Sequence, residues 1–270
     1  MCGNIQISTY IDMKKLFVLF VAFLPVISLA KAPSWGKTGH RATAEIATKY
    51  LTDKAKANID KFLEGDSPAL VSTFGDDIKS DHAFDKYSVW HYVNIPEGKT
   101  YADIKDDLGP NIVVALEKIK KGLKDKSTPV EKKRFYLKML IHLIGDLHQP
   151  LHVGRPEDRG GNDIIVFWFG EPSNLHRVWD SDMLDGFQMS YSELAANERQ
   201  LSKREIKEIQ KGNHETWLGE SVKIADEIYA QAKNGEYLSY KYSYDWLDIL
   251  RDQLQKGGIR LAQELNDIFG

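Results

Sequence analysis

The chain has 270 residues, of which 42% are apolar and 28% are charged, and its formal net charge is −3 at pH 7. These values are ordinary for a soluble globular protein and argue against global disorder, a collagen-like repeat or a polytopic membrane protein. The near-neutral balance lacks the basic excess that is typical of proteins that bind duplex DNA. Cysteine occurs once, at position 2, so an internal disulfide framework is excluded.

Residues 1–34 are predicted to be a secretory signal peptide. Two lysines after Met13 precede an apolar run over residues 16–30. This run is shorter than the ~20 residues of a membrane-spanning helix. A basic start, a short apolar run and small residues before a boundary are typical of secretory signals, and they suit cleavage between Ser34 and Trp35.

Three alternatives stay open for this segment. The triplet at residues 30–32 is a rival cleavage site, the apolar run is alternatively a membrane anchor, and Met13 is an alternative start that would leave residues 1–12 outside the protein. Cleavage after Ser34 would leave a chain with a net charge of −5 and no cysteine. Such an exported chain must be stabilised by its core or by bound metal.

Residues 35–270 are predicted to form one mainly helical domain. Apolar residues at helical spacing predict a helix that starts after Pro110 and buries Ile112, Val113, Leu116, Ile119 and Leu123. Residues 128–131 have the pattern of a capping box with proline in the first turn. They are expected to open a central helix, because residues 135–147 are apolar on nearly all sides. Pro150 is expected to end that helix.

The remaining elements are one strand and further helices. Residues 164–169 form the convincing strand run, and a small hairpin is expected with residues 175–178 or another nearby stretch. Residues 202–205 have the pattern of a second capping box, which would open further helices. The last helix is predicted from about Tyr244, with the glycines at 257–258 as a kink.

Histidine and aspartate occur on one face of the predicted central helix. His142 and Asp146 are four residues apart, so their side chains lie one turn apart on the same side. A charged aspartate in so apolar a segment costs several kcal/mol unless it is paired or binds a metal ion. A buried hydrogen-bonded His–Asp pair explains these two residues equally well.

More histidines follow directly. His148 and His152 flank Pro150, which turns the chain, and His176 and Asp180 repeat the four-residue spacing. Imidazole and carboxylate groups without a thiolate suit zinc or another divalent ion in a hydrolytic site. Two His–Asp pairs around a His-Gln-Pro-Leu-His segment therefore predict a metal site.

These motifs resemble those of the zinc-dependent single-strand nucleases of fungi and plants, the S1/P1 type, which are related to the zinc-dependent phospholipases C. The matching segments are residues 35–40 (WGKTGH), 74–77 (FGDD), 90–92 (WHY), 142–152 (HLIGDLHQPLH) and 174–180 (NLHRVWD). The resemblance implies a single-domain helical phospholipase C/nuclease-type fold with a small β-hairpin. Fungal and plant members carry disulfides and glycans, whereas this chain has no cysteine after cleavage and no Asn-x-Ser/Thr sequon. That difference indicates a bacterial exported form.

The resemblance also implies three zinc ions, with ligands carried over by position. The first ion would be bound by Asp76, His91, His142 and Asp146. The second ion would be bound by His152, His176 and Asp180. The third ion would be bound by His40, Asp146 and the amino group and carbonyl oxygen of Trp35 as the mature N-terminus. Asp146 would then bridge the first and third ions.

Several neighbouring residues compete for these roles. Asp76 is preferred to Asp77, because its spacing to the next histidine ligand matches the family. His148 is expected to form hydrogen bonds behind the ligands rather than to bind zinc. His82 and His214 are expected to be surface residues or hydrogen-bonded residues of the core.

The implied activity is zinc-dependent hydrolysis of phosphodiester bonds in single-stranded DNA and RNA, with 5′-phosphate products and 3′-nucleotidase activity. Clustered zinc ions suit this reaction, because they lower the pKa of water and neutralise phosphate charge. Asp76 would orient the attacking water, and Asp146 would act in catalysis as the bridging ligand. Tyr92 stands where the family has an aromatic residue that stacks on an unpaired base, and Asn94 is a candidate for contact with the base edge. The alternative for Tyr92 is a place in the core.

Two other functions stay open. A phospholipase C would have a similar metal site, although that branch tends to have Glu where this chain has Asp180, and Tyr92 also argues against it. A non-enzymatic periplasmic zinc-binding protein is the second alternative. The expected location is the periplasm or outside the cell, with single-stranded nucleic acid or 3′-nucleotides as substrates. No stable membrane association after signal removal and no protein partner are expected.

Overall fold

The computed structural model describes residues 35–270, so the predicted signal peptide lies outside the described residues. The described part is mainly helical with one small sheet, as predicted. Among residues 35–270, none of the helices combines the length and the apolar character that a bilayer span requires.

The helices are described in chain order. The N-terminal half contains α1 (Lys37–Lys49), α2 (Asp53–Leu63), α3 (Pro68–Val71), α4 (Phe74–Asp77), α5 (Tyr101–Ile104), α6 (Ile112–Lys124) and α7 (Val130–Leu147). The C-terminal half contains α8 (Leu175–Arg177), α9 (Met183–Phe187), α10 (Tyr191–Ala196), α11 (Lys203–Ile209), α12 (His214–Gln231) and α13 (Tyr240–Phe269). Short 3₁₀ segments include His82–His91 and Pro150–Val153, and a π-helical turn spans Val178–Asp182.

The sheet has three strands: β1 (Ile165–Trp168), β2 (Glu171–Asn174) and β3 (Glu236–Leu238). β1 and β2 form the predicted hairpin, whereas β3 pairs with β1 in parallel. Of the two partners left open, the nearby stretch Glu171–Asn174 forms the second strand rather than residues 175–178, because the side chain of Asn174 accepts a hydrogen bond from the Arg177 N–H and caps a helix there. The residues after Asn174 therefore leave the sheet at once.

The central helix α7 begins at Val130, with Pro129 at the N-cap and no side-chain capping bond. The predicted capping box at Thr128 is therefore wrong. The preceding residues form their own turn, in which the Ser127 N–H donates to the Asp125 carboxylate (2.8 Å) and the Thr128 N–H donates to the Asp125 carbonyl (3.2 Å). The backbone N–H of Thr128 therefore bonds to this turn and does not take part in capping α7.

Two helix predictions are confirmed. All five apolar residues predicted to form the buried stripe of α6 are buried. At the start of α11, the Ser202 hydroxyl accepts from the Glu205 N–H and the Glu205 carboxylate accepts from the Ser202 N–H. This reciprocal pair is the predicted capping box, and it works because no competing turn precedes it.

The last helix differs from its prediction. α13 starts at Tyr240, four residues before the predicted start, and runs through the two glycines to Phe269. The glycines lie at a close contact with α1. A Cβ atom on Gly258 would lie 2.5 Å from the Ile46 side chain and 2.9 Å from the Thr43 carbonyl oxygen. Glycine is required there by the neighbouring helix rather than by the backbone angle.

The position of α7 in the core explains how the site is built. Its apolar residues between Leu137 and Leu147 are buried against the helices around them. His142 and Asp146 lie on the same helix and are fully buried as well. A helix that is buried along most of its C-terminal half therefore holds two ionisable side chains away from water.

Candidate metal centre

The histidines and aspartates predicted to be ligands meet in three clusters. They are His40, His142 and Asp146; Asp76, His91 and His142; and His152, His176 and Asp180. In each cluster, one ligand atom per residue lies within 4.8 Å of the others. All of these side chains are buried except that of Asp76, which is partly exposed.

Asp146 lies at the centre of the first two clusters. Its carboxylate oxygens lie 3.1 Å from Nε2 of His142 and 2.9 Å from Nδ1 of His91. Nε2 of His40 lies 3.4 Å from the same carboxylate. Nε2 of His142 also lies 3.7 Å from Oδ1 of Asp76. One carboxylate therefore faces both groups, which is the arrangement that a bridging ligand needs.

Backbone carbonyl groups orient three of the imidazole rings. Nδ1 of His142 donates to the carbonyl of Ser72 (2.7 Å), and Nδ1 of His152 donates to the carbonyl of His91 (2.9 Å). Nδ1 of His176 donates to the carbonyl of Gly160 (2.7 Å). A carbonyl oxygen only accepts, so each Nδ1 carries a hydrogen, and in the neutral ring each Nε2 is left as an acceptor. Metal-binding histidines are commonly held in this way.

Several buried polar atoms in the clusters have no hydrogen-bond partner in the described part of the chain. They are Nε2 of His40, Oδ1 of Asp146, Nε2 of His152 and Oδ2 of Asp180. Burying such atoms unpaired is costly, and a bound cation removes the cost by accepting their lone pairs. Imidazole nitrogen and carboxylate oxygen are ligands that zinc prefers, so these residues fit the metal.

Electrostatics within the clusters keep the acids ionised. Burial alone would raise the pKa of Asp146, but His142 and His152 hold this pKa well below its usual range. Burial alone would lower the pKa of His152, but Asp146 and Asp180 raise it to about 9. Burial lowers the pKa of His91 to about 4. The ligand carboxylates are therefore charged near neutral pH, and a metal ion would compete with the proton on His152.

Asp76, rather than Asp77, faces the clusters. The Asp77 carboxylate accepts from the Thr73 hydroxyl (2.8 Å) and lies 3.8 Å from the exposed ammonium group of Lys37. Asp76 instead accepts from Nζ of Lys79 at 2.8 Å. The sequence-based preference for Asp76 agrees with this geometry.

Two residues that contact the assigned ligands could not be identified from the sequence. Lys79 contacts Asp76 at an i,i+3 spacing, which is a weak signal on its own. The side-chain amide of Gln149 donates to Oδ1 of Asp180, and Oδ2 of Asp180 lies 3.2 Å from Nε2 of His176. Gln149 lies inside the His-Gln-Pro-Leu-His motif, but its partner is 31 positions away, so no local pattern reveals the contact.

Tyr92 and Asn94 follow His91 along an extended segment. The Val93 N–H donates to the carbonyl of His152 (3.0 Å), which ties this segment to the second cluster. Val93 is buried, whereas Asn94 is partly exposed and Tyr92 is 44% exposed. The alternating pattern places both predicted substrate contacts on the outer side of the segment. Tyr92 is not part of the core.

Trp35 starts the described chain and is buried, with its indole ring against Gly39. The Gly36 N–H donates to the carbonyl of Asp180 at 2.8 Å, so the chain next to Trp35 is held against a ligand-bearing segment. His40 follows within the first turn of α1.

The other histidines lie outside the clusters. Nδ1 of His148 donates to the Ile144 carbonyl, and its Nε2 accepts from Arg260 at 3.0 Å, so both nitrogens are used. His82 is exposed, and His214 is buried with a 2.8 Å contact to Glu117.

Comparison with known proteins agrees with this geometry. The family model for S1/P1 Nuclease matches residues 35–270. Endonuclease 2 of Arabidopsis thaliana is 30% identical over 266 residues, which cover 87% of this chain and 91% of that protein. Nuclease P1 of Penicillium citrinum is 25% identical, over 87% of this chain and 98% of that protein. Nuclease S1 of Aspergillus oryzae is 31% identical over 58% of this chain and 57% of that protein.

The family binds three zinc ions, and the described residues contain three His/Asp clusters that are able to hold metal ions. The family match covers every one of those clusters. The chain belongs to the S1/P1 nuclease family.

Proposed function

We propose that this chain is an exported zinc-dependent enzyme that hydrolyses phosphodiester bonds in single-stranded DNA and RNA. It would release 5′-phosphate products and also act as a 3′-nucleotidase. The observation that supports this most is the set of three His/Asp clusters around Asp146, in which Nε2 of His40, Oδ1 of Asp146, Nε2 of His152 and Oδ2 of Asp180 are buried and make no hydrogen bond. The names of the similar proteins, which are endonucleases and nucleases, support a nucleic acid as substrate.

The ligand sets follow the three clusters. The first zinc ion is assigned to Asp76, His91, His142 and Asp146. The second is assigned to His152, His176 and Asp180. The third is assigned to His40, Asp146 and the α-amine and carbonyl of Trp35. Zinc bound there would supply an acidified water and positive charge for the phosphate.

Asp76 is suited to orient the attacking water. It is the one partly exposed acid of the three clusters, and Nζ of Lys79 holds one of its oxygens at 2.8 Å. Burial would raise the pKa of Asp76, but His142 and Lys79 lower it below its usual range. The carboxylate is therefore ionised near neutral pH and accepts a hydrogen bond from water.

Tyr92 is suited to stack on an unpaired base. Its exposed ring follows His91 directly, so a stacked base would place the adjoining phosphate near the clusters. Stacking needs a base that is not held inside a duplex, which accounts for a preference for single strands. Asn94, on the same side, would contact the base edge.

Removal of residues 1–34 would create the α-amine of Trp35. An amide nitrogen at this position is a far poorer zinc ligand than an amine, so the third zinc site would form in the exported chain only. The predicted signal peptide and the secretion typical of the family support a periplasmic or extracellular location.

An assay of the mature chain on three substrates tests the proposal. We expect zinc-dependent cleavage of single-stranded DNA and of RNA, and no release of a head group from phosphatidylcholine. Hydrolysis of the lipid alone would identify a phospholipase C. A zinc-loaded protein that cleaves none of the three would be a zinc-binding protein, and the proposal would be wrong.

A further inference from the structure

Positive charge is concentrated in one part of an otherwise acidic domain. Residues 117–138, from the second half of α6 to the first half of α7, contain nine Lys or Arg residues and three Asp or Glu residues. Residues 35–270 as a whole have a net charge of −5. A local excess of one sign on such a background indicates a partner of opposite charge.

Four lysines on and beside this segment lie over aromatic rings: Lys132 lies over Tyr136, and the other three lie over rings within four residues of an assigned ligand. Nζ of Lys138 lies 5.3 Å from the centroid of Phe74, Nζ of Lys118 lies 5.5 Å from that of Trp90, and Nζ of Lys86 lies 5.2 Å from that of Tyr87. The rings contact one another through Tyr87–Trp90 (4.6 Å), Phe74–Phe135 (5.8 Å) and Tyr87–Phe135 (4.9 Å). We refer to Lys86, Lys118 and Lys138 as the lysine rim, since they border one continuous aromatic cluster.

The lysine rim adjoins the metal centre on two sides. Lys138 lies one helical turn before His142 on α7, at a rise of about 6 Å. Phe74, under Lys138, lies two residues before Asp76. Trp90, under Lys118, directly precedes His91. A nucleic acid strand bound at the metal centre would therefore pass close to these lysines where it extends out of the site.

The charges of the rim are available to a partner. Within residues 35–270, no carboxylate lies within the 4.0 Å ion-pair distance of any rim lysine. Lys120 and Lys124 on the same segment behave differently, because they pair with Glu264 and Asp267 at 2.8 and 2.7 Å. Lys86 and Lys118 are exposed, and Lys138 is partly exposed.

We propose that the lysine rim binds the phosphate backbone of a single-stranded nucleic acid beyond the nucleotide that is cleaved. This inference rests on the proposed function and extends the substrate site along the strand. Lysine ammonium groups bind phosphates as point charges without reading sequence. A nucleic acid fits better than an anionic membrane, because Trp90 is only 6% exposed and the other rings are partly buried, so the rim offers few apolar groups to insert into lipid.

A triple variant tests the rim. Lys86→Gln, Lys118→Gln and Lys138→Gln together remove three charges and keep aliphatic contact with the rings. The matched control is Lys54→Gln, Lys56→Gln and Lys203→Gln, which removes three exposed lysines of α2 and α11. The probe is a 20-nucleotide single strand with phosphorothioate linkages, which slow hydrolysis, measured with each zinc-loaded protein.

We expect the rim variant to bind the 20-mer about tenfold more weakly near 50 mM salt. The slope of log affinity against log salt concentration should fall by about 2, since each lost contact contributes ~0.7 on single strands. Zinc content and dephosphorylation of a 3′-nucleotide should stay within about twofold of the parent, because a single nucleotide has no phosphate beyond the one that is cleaved. The control variant should bind like the parent.

Equal binding and equal salt slopes for the rim and control variants would overturn the inference. It would also be overturned if the rim variant lost binding to phosphatidylglycerol vesicles but kept its binding to the 20-mer. A parent that binds the 20-mer through the rim but cleaves no nucleic acid would contradict the proposed function and support the rim. A parent that cleaves single strands while both variants bind equally would contradict the rim alone.

Discussion

Asp146 is the residue on which the proposed trinuclear site depends most. It lies within 3.4 Å of nitrogen atoms of four histidines: His40, His91, His142 and His152. It is fully buried, so neither water nor a lysine replaces these contacts. The bridging role assigned to Asp146 therefore depends on its charge and not only on its shape.

Asp146→Asn tests this role. Asparagine keeps the size of the side chain and removes the charge, so zinc content should fall by more than one ion per chain. Hydrolysis should fall at least ~10²-fold, which is the rate equivalent of losing ~3–4 kcal/mol of transition-state stabilisation. The matched control is Asp77→Asn, which changes an acid outside the clusters. Activity of Asp146→Asn within about tenfold of the parent would refute the bridge.

Tyr92→Ala tests base stacking. Removal of the exposed ring should weaken the binding of single-stranded substrate by ~1–3 kcal/mol. Zinc content should not change, because Tyr92 faces outward and is not a ligand. Tyr92→Phe is the control, since it keeps the ring and should bind almost as well as the parent. If the alanine variant bound and cleaved single-stranded DNA and RNA like the parent, Tyr92 would have no stacking role.

The extent to which the site could be predicted differs between residues. The pairs His142–Asp146 and His176–Asp180 could be predicted from their four-residue spacings, because residues four apart in a helix are neighbours on its surface. Asp76 needed the resemblance to the family, since no local pattern separates it from Asp77. The contact of Gln149 with Asp180 depends on how distant segments meet.

Helix α6 and the start of α11 could be predicted from short sequence patterns alone. These patterns are the apolar stripe of α6 and the capping box at the start of α11, and each lies within a single segment. Features that the sequence left open or predicted wrongly depend on a second interaction. A turn over residues 125–128 engages the backbone N–H of Thr128, a helix cap at Asn174 ends the sheet, and packing on α1 accounts for Gly258. Sequence periodicity does not report such competing contacts.

Gly258→Ala tests the close approach of α1 and α13. The added Cβ would lie 2.5 Å from the Ile46 side chain and 2.9 Å from the backbone oxygen of Thr43. A backbone atom within a helix cannot move away without shifting the helix. We expect the free energy of unfolding to fall by about 1–3 kcal/mol, as in other overpacked cores. Gly219→Ala is the control, because its Cβ would meet nothing within 4 Å and alanine favours the helix. Equal unfolding midpoints for the two variants in denaturant would contradict the close contact.

At the scale of the whole molecule, the proposed function predicts that export and catalysis depend on the same N-terminus. A free α-amine ordinarily has a pKa of ~8, so zinc bound to a mature Trp35 would have to displace a proton near neutral pH. A form with methionine or a tag before Trp35 should keep its fold and the second zinc ion but lose most of its activity. Proteolytic trimming to Trp35 should restore that activity. Full activity with the extension present, or a secreted protein whose mass shows another N-terminus, would contradict this mechanism.

The number of zinc ions per chain is the most direct test of a trinuclear site built around Asp146. The described residues contain no cysteine, so the ligands are limited to nitrogen and oxygen atoms of the three clusters and of the N-terminus. Elemental analysis of the mature protein, purified without chelators and dialysed against zinc-free buffer, should give about three zinc ions per chain. One zinc ion or none would contradict the account.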